Sequence, residues 1–284
     1  MKWIEAIQKS IQYIEEHLLE PMTTDQIATH AHMSAFHFQR IFGLMTDVTV
    51  AEYIRRRRLT LAANELLQGD PKIMDLALKY GYDTPESFAK AYRRQHGISP
   101  SETRKSGASV QSYNRLVIQV SLQGAEPMKH HIVEQEAFSI AGIKQRFSYV
   151  DGQHLQGIPN MWEEAYHSSA EDRIAALNNG VIPGLLGVCV DQGEIEDKQM
   201  EYWIATTYEG EQPEGLSTLT FPASKWVVFE VEEPMPQGIQ KLWKRIVGEW
   251  FPSNAYEHAW LPELEVYRGK EHAPQIWIPI KSSV

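Results

Sequence analysis

Apolar residues recur every three or four positions through the first hundred residues of the chain. This spacing predicts a first helix over about residues 2–18. Thr24 and Ser34 are the predicted N-caps of the next two helices, because a side-chain hydroxyl can accept the free backbone N–H groups at a helix start. The segment AEYIRRRRLTLAANELLQG, residues 51–69, predicts a long helix. The pattern therefore predicts an all-helical N-terminal domain.

Two segments of this helical region, residues 24–43 and 72–97, repeat one pattern about fifty residues apart. Each has the form of a helix-turn-helix, whose turn needs a residue that tolerates a left-handed backbone. Gly81 meets this need in the second segment, and His32 stands there in the first. Two recognition helices imply two major-groove contacts from one chain. Four aromatic residues at i, i+4 spacing are predicted to pack into the core: Phe38, Phe42, Phe88 and Tyr92.

The residues near the start of each recognition helix are predicted to read DNA. Gln39 can make a paired contact with adenine, and Arg40 can bind guanine or a phosphate. The alternative for each polar residue is a solvated helix face. The predicted DNA-binding set is Ser34, Ala35, Phe36, His37, Gln39, Arg40, Thr84, Glu86, Ser87, Lys90, Arg93 and Arg94.

After about residue 106 the pattern changes to alternating apolar and polar positions, which predicts strands. A linker and leading strand are predicted over 108–127, and a strand–helix–strand–strand order then occurs twice. The predicted strands lie near 131–149, 184–191, 199–208, 225–232, 262–268 and 275–281, and the helices near 158–177 and 236–251. The predicted fold class is two domains, an all-α double helix-turn-helix domain at 1–107 and an α+β domain at 128–284.

Charge and composition separate the two halves further. Residues 1–110 hold 14 Lys/Arg and 13 Asp/Glu, whereas the remainder carries a net charge of −11. The basic residues cluster at 55–58 and 90–105, and phosphate attraction is local at physiological salt. The acidic second half needs a ligand other than DNA. With one cysteine, Cys189, and no apolar run that could span a bilayer, we predict a cytoplasmic protein without a membrane partner.

Aromatic residues and carboxylates coincide in the second half, which holds seven of the eight tryptophans. This combination is typical of pockets for bulky cationic or aromatic ligands. Glu265 lies within a predicted strand, and alternation places Tyr267 on its face. Glu201 and Trp203 repeat this pairing on another strand. The alternative for the aromatics is a core or surface position. The predicted effector-binding residues are Glu265, Tyr267, Trp162, Tyr166, Trp203 and Tyr208.

Two motifs of the N-terminal half carry a family resemblance. They are A-x-x-A-x-M-S-x-x-x-F-x-R-x-F from Ala28 to Phe42 and Y-G-Y-D-T-P-E-S-F-A-K-A-Y from Tyr80 to Tyr92, followed by G-I-S-P-S-E-T-R. This region resembles the DNA-binding domain of AraC/XylS-type transcription regulators. The resemblance implies seven helices, binding to promoter DNA and, often, activation through contact with RNA polymerase. His32 replaces a usual glycine.

From about residue 113 the chain resembles the GyrI-like effector-binding domain. The resemblance rests on F-S-I-A-G-I (138–143), M-E-Y-W-I-A (200–205), W-V-V-F-E-V (226–231), P-E-L-E-V-Y (262–267) and I-W-I-P-I (276–280). It implies two modules related by pseudo-twofold symmetry with a ligand between them. Such domains sense hydrophobic, often cationic compounds, and their acidic residue on a late strand matches Glu265.

These expectations lead to one main hypothesis, a ligand-responsive transcription activator. Its predicted partners are double-stranded promoter DNA, RNA polymerase and a small-molecule effector. We predict no enzyme, no cofactor and no metal site, since His130 and His131 are adjacent rather than spaced as metal ligands. Two alternatives stay open. Some GyrI-like domains are hydrolases, in which Glu265 would be a general base, and the C-terminal domain could instead bind a protein.

Overall fold

The computed structural model describes residues 2–105, 108–117, 127–148, 153–190, 199–269 and 271–282. The chain divides into two compact units, Lys2–Ser121 and Leu122–Val284. Within the described ranges, no helix is both long and apolar enough to cross a lipid bilayer.

The N-terminal unit is all-helical. Its helices are Lys2–Glu16 (α1), Thr24–His30 (α2), Ala35–Thr46 (α3), Val50–Gln68 (α4), Ile73–Lys79 (α5), Pro85–His96 (α6) and Pro100–Thr103 (α7). Helices α2 and α3 form the first helix-turn-helix, α5 and α6 form the second, and α4 connects them. This confirms the predicted double helix-turn-helix domain of seven helices.

Helix starts in this unit follow from side-chain caps. The Ser34 hydroxyl accepts the backbone N–H of His37, as predicted, and the Thr84 hydroxyl accepts that of Ser87 in the same way. At α2 the prediction was wrong by one residue, because the N-cap is Thr23 and Thr24 is the first helical residue. Thr23 exchanges two hydrogen bonds with Gln26, a capping box that satisfies two backbone donors at once.

Both turns have the left-handed backbone that the pattern predicted, with φ of 53° at His32 and 81° at Gly81. A side chain at the second turn would also press on a neighbouring side chain. A Cβ at Gly81 would lie 2.7 Å from Nη1 of Arg58, whose guanidinium donates to the carbonyls of Leu18 and Glu20. The aromatic residues predicted for the core are all fully buried: Phe38, Phe42, Phe88 and Tyr92.

The C-terminal unit is α+β. Its strands are His130–Gln135 (β1), Phe138–Ser148 (β2), Leu185–Val190 (β3), Gln199–Thr207 (β4), Ser217–Phe221 (β5), Ser224–Glu230 (β6), Tyr256–His258 (β7), Leu264–Tyr267 (β8) and Gln275–Ser282 (β9). Its helices are Gln153–His167 (α8), Ala170–Ala175 (α9) and Gln237–Arg245 (α10), and α10 continues through a π-helical turn, Ile246–Trp250, into Phe251–Ser253 (α11).

The described strands form one antiparallel sheet in the order β1-β6-β9-β8-β3-β4-β2-β5, with β7 beside β9. The first module contributes β2, α8, β3 and β4, and the second contributes β6, α10, β8 and β9. The sheet order is therefore mirrored about the β3–β8 pair. This confirms the predicted fold class of two strand–helix–strand–strand modules.

Some details of this unit differ from the expectation. The helix predicted near 158–177 is two helices, α8 and α9. The predicted strand at 131–149 is two strands, since β1 pairs with β6 whereas β2 pairs with β4 and β5. Strands β5 and β7 were not predicted, because segments of five and three residues show little periodicity. Of the predicted leading strand, residues 115–117 lie in no strand, and the following residues lie outside the described ranges.

Candidate functional sites

The first recognition helix, α3, exposes only part of its predicted reading surface. Ser34 is exposed, and Gln39 and Arg40 are partly buried. Phe36 and His37 are only 5% and 6% exposed. These two side chains are not open to solvent in this structure. Their contact with a DNA groove stays a prediction.

The second recognition helix, α6, presents a continuous polar face. Glu86, Lys90 and Arg93 are exposed at intervals of four and three residues, and Ser87 and Arg94 are exposed beside them. The opposite side of α6 is buried in the core. Three cations on one face complement the charge of a phosphate backbone. Glu86 lies in the first turn, where it interacts favourably with the positive end of the helix.

The arginine run 55–58 on α4 has partners within the N-terminal unit. These partners are Glu52 for Arg55 and Arg56, Glu15 for Arg57, and two backbone carbonyls for Arg58. Arg57 and Arg58 therefore tie α4 to α1 and the segment after it, whereas Arg55 and Arg56 pair within α4. The density of the run in the sequence overstates its part in any phosphate contact.

A second candidate site lies on the β3–β8 pair, where the two modules meet. Glu265 of β8 pairs with Gly187 of β3 in the register of the sheet. Tyr267 shares the face of Glu265, whereas Leu264 and Val266 point into the core on the other side. A carboxylate is thus placed at the centre of the unit, on the mirror line of its two modules.

Both carboxylate oxygens of Glu265 accept hydrogen bonds from neutral donors. The indole Nε1–H of Trp243, on α10, donates to Oε1 at 3.1 Å, and the hydroxyl of Tyr267 donates to Oε2 at 3.0 Å. Within the described residues, no lysine or arginine forms an ion pair with Glu265. The half-buried carboxylate is oriented by its neighbours but is not neutralised by them.

Aromatic side chains cover the sheet beside this carboxylate. The Nε1–H of Trp162, on α8, donates to the Tyr202 hydroxyl at 2.9 Å, and the Trp162 ring meets the edge of Tyr267 with centroids 5.3 Å apart. A Cβ at Gly187 would lie 2.3 Å from the Tyr202 hydroxyl, so this aromatic layer requires the glycine. Burial and the charge of Glu265 raise the pKa of Tyr267, which keeps its hydroxyl a hydrogen-bond donor.

Trp203 does not belong to this face, contrary to the expectation. In the sheet it pairs with Val188, and it lies in the core with 2% exposure. Glu201, two residues earlier, shares the core face, where Lys144 donates to its carboxylate at 3.1 Å. Alternation along β4 instead brings Tyr202 to the face of Glu265. Choosing between neighbouring aromatic residues required the register of β3 and β4, which the sequence does not contain.

The other predicted effector residues divide in the same way. The structure brings Trp162 and Tyr267 to Glu265, whereas Tyr166 is 70% exposed and Tyr208 lies beyond the end of β4. Sequence reasoning missed Trp243. Trp243 lies on α10, the helix of the second module, as Trp162 lies on α8, the helix of the first.

Two protein families match the chain. Residues 131–280 match the family described as integron-associated effector binding protein, and residues 27–106 match a helix-turn-helix domain family. The two matches coincide with the α+β unit and with most of the helical unit.

Relatives match the same regions. The HTH-type transcriptional activator AarP of Providencia stuartii is 38% identical over 112 residues, which cover 39% of this chain and 81% of AarP. YbfP of Bacillus subtilis (strain 168), an uncharacterized HTH-type transcriptional regulator, is 38% identical over 104 residues, 37% of this chain, and the chain spans 35% of its length. The right origin-binding protein of Escherichia coli (strain K12) is 26% identical over 254 residues, 87% of this chain and 84% of that protein.

Proposed function

Because the chain belongs to the AraC-type helix-turn-helix transcription regulators and carries an integron-associated effector-binding domain, we propose that it activates transcription in response to a hydrophobic cation. The N-terminal unit binds promoter DNA, and the C-terminal unit binds the effector. The names of the relatives point to a non-enzymatic role.

The reading of DNA involves two successive major-groove segments. The exposed polar face of α6 supports this part of the proposal, because Lys90, Arg93 and Arg94 can bind phosphates while Glu86 and Ser87 reach base edges. On α3, Gln39 and Arg40 contribute the second set of contacts. Such an arrangement gives one chain two contacts without a second copy.

Activation adds a protein partner, RNA polymerase. The activating role is supported by AarP, which is named as a transcriptional activator and of whose length the chain covers 81%.

The effector class follows from Glu265, the single observation on which the sensing part rests. Its charge is oriented by Trp243 and Tyr267 but not neutralised by either. A cation beside Glu265 would be attracted by the charge of the carboxylate and by the ring faces of Trp162 and Tyr202. Because the oxygens already accept two hydrogen bonds, a cation without N–H groups, such as a quaternary ammonium, fits this surface best.

Calorimetric titration of the full-length protein tests this. We expect benzyltrimethylammonium to bind and its uncharged carbon isostere, 2,2-dimethylpropylbenzene, to bind about tenfold more weakly or worse. Glu265→Gln, which keeps the acceptor oxygen, should remove this preference, whereas Glu209→Gln on an exposed loop should retain it. Equal affinity for the two compounds in the wild-type protein would refute the cation-binding assignment.

A further inference from the structure

The segment of residues 108–117, here called the strap, lies between the two family matches, which end at residue 106 and begin at residue 131. It forms neither helix nor strand. It is nevertheless packed onto the N-terminal unit, where Val110 contacts the core of the second helix-turn-helix. A segment outside both families is thus built into the DNA-reading unit.

Tyr113 anchors the strap to the middle of α4 through three contacts. Its backbone N–H donates to Oγ1 of Thr60 at 3.0 Å, and its carbonyl accepts from Nη1 of Arg57 at 2.6 Å. The guanidinium of Arg56 lies over its ring, 4.7 Å from the centroid. The contacts come from consecutive turns of α4, so this stretch of the strap follows the helix closely.

The strap also joins the ion pair that ties α1 to α4. Arg57 binds both carboxylate oxygens of Glu15 at 2.8 Å, and the two side chains are 12% and 10% exposed. The hydroxyl of Tyr53 donates to Glu15 at 2.6 Å and accepts the backbone N–H of Leu116 at 3.1 Å. The strap thereby binds both Arg57 and Tyr53, the two residues of α4 that hold Glu15.

The same turns of α4 are also fixed to α6. The side-chain amide of Gln95, on α6, donates to the carbonyl of Arg56 at 3.1 Å and to Oγ1 of Thr60 at 3.3 Å. Thr60 therefore binds the strap and α6 with one hydroxyl. Gln95 attaches the second helix-turn-helix where the strap lies, and Glu15 attaches α1, whose Ser10 hydroxyl donates to the Ile27 carbonyl of α2 in the first.

We propose that the strap is a clamp that fixes the separation of the two recognition helices, with Tyr113 as its main positioning residue. This inference rests on the proposed binding to two major-groove segments. A fixed separation gives strong binding at one spacing of the two segments and a penalty at any other. Without the clamp, the two helix-turn-helix units behave as tethered modules. Such modules lose affinity for DNA at the preferred spacing but tolerate a change in that spacing.

The test uses the full-length protein and a duplex that the wild-type protein selects from a random pool. Footprinting locates the two protected segments, and a second duplex receives one base pair between them, which turns one segment by roughly 35° about the axis. We expect the insertion to weaken wild-type binding about tenfold or more. In Tyr113→Ala the loss should fall to about threefold or less.

Conservative variants separate positioning from folding. Tyr113→Phe keeps the ring beneath Arg56 and both backbone bonds, so it should retain the wild-type discrimination. Thr60→Val removes the acceptor for both the Tyr113 N–H and the Gln95 amide and should reduce discrimination, whereas Thr60→Ser keeps both and should not. Circular dichroism verifies that each variant is folded.

The outcomes distinguish the inference from the function on which it rests. Failure of the wild-type protein to select any duplex would refute the proposed DNA reading itself. Selection with unchanged discrimination in Tyr113→Ala and Thr60→Val would overturn the clamp alone. An equal loss of affinity at both spacings would also overturn it, since that result indicates a merely structural contact.

Discussion

Gly81 and Gly97 both adopt the left-handed backbone, with φ of 81° and 79°, but only one of them is crowded. A Cβ at Gly97 would have no neighbour within 4 Å, whereas at Gly81 it would press on Arg58. At the scale of single residues, Gly97 serves backbone conformation alone, whereas Gly81 also leaves space for Arg58, which ties α4 to the segment after α1.

This difference is measurable by urea unfolding. Gly97→Ala should lower the free energy of unfolding by about 1 kcal/mol, the cost of a side chain in the left-handed region. Gly81→Ala should cost about 1 kcal/mol more, because the methyl group displaces Arg58 from its carbonyl acceptors. In an Arg58→Ala background the excess should disappear. Equal costs of the two glycine substitutions in the wild-type background would contradict the crowding at Gly81.

Glu15 makes stability depend on pH. Burial would raise its pKa, but the hydrogen bonds from Arg57 and Tyr53 outweigh burial and lower the pKa below the usual value of 4.5. A carboxyl with a lowered folded-state pKa stabilises the fold above the unfolded pKa, and this contribution is lost as the pH falls through the folded pKa.

We therefore expect Glu15→Gln to cost about 2 kcal/mol of unfolding free energy at pH 7 and progressively less below pH 4.5. Glu16→Gln, on the exposed side of the same helix, should cost little at either pH. Unfolding curves measured at pH 7 and at the lowest pH at which the protein stays folded compare the two variants. A Glu15→Gln cost that is independent of pH would argue against the ionised pair.

At the scale of elements, the helices were predictable and part of the sheet was not. Caps such as Ser34 and Thr84 involve groups that lie within four residues of each other, so the local sequence is enough to predict them. The partners of β5 and β7, and the face on which Trp203 lies, depend on pairing between distant strands. Glu265 and Tyr267 could be placed on one face by alternation alone, but Tyr202 and Trp243 could not be found without the sheet register and the position of α10.

The start of α2 offers a direct check on a helix boundary. Thr23→Ala removes the hydroxyl of the capping box and should cost about 1 kcal/mol of unfolding free energy. Thr24→Ala, one residue later, removes no cap and should change stability by less than about 0.5 kcal/mol. Urea unfolding of both variants measures this. A larger cost at Thr24 would restore the boundary that the sequence suggested.

At the scale of the whole molecule, the uneven charge fits the two ligands that we propose. The exposed cations of α6 suit a polyanion, and the acidic C-terminal half with Glu265 suits a cation. Linkage between the two sites is reciprocal, so an effector that changes the affinity for DNA has its own affinity changed by the same factor.

DNA binding through the cations of α6 should depend on salt concentration. Plotted as the logarithm of DNA affinity against the logarithm of salt concentration, the slope should become less steep by about one in Lys90→Ala. The reason is the loss of one phosphate contact. Lys129→Ala removes an exposed lysine of the C-terminal unit that pairs with Glu232 and should leave the dependence unchanged. Fluorescence anisotropy at several salt concentrations measures both variants. Equal effects of the two substitutions would exclude a specific role of α6.

The most direct measurement is the affinity of the full-length protein for its selected duplex, with and without saturating benzyltrimethylammonium. We predict at least about a fivefold change in the wild-type protein and none in Glu265→Gln at the same cation concentration. An identical affinity in the presence and absence of the bound cation would contradict effector control of DNA reading.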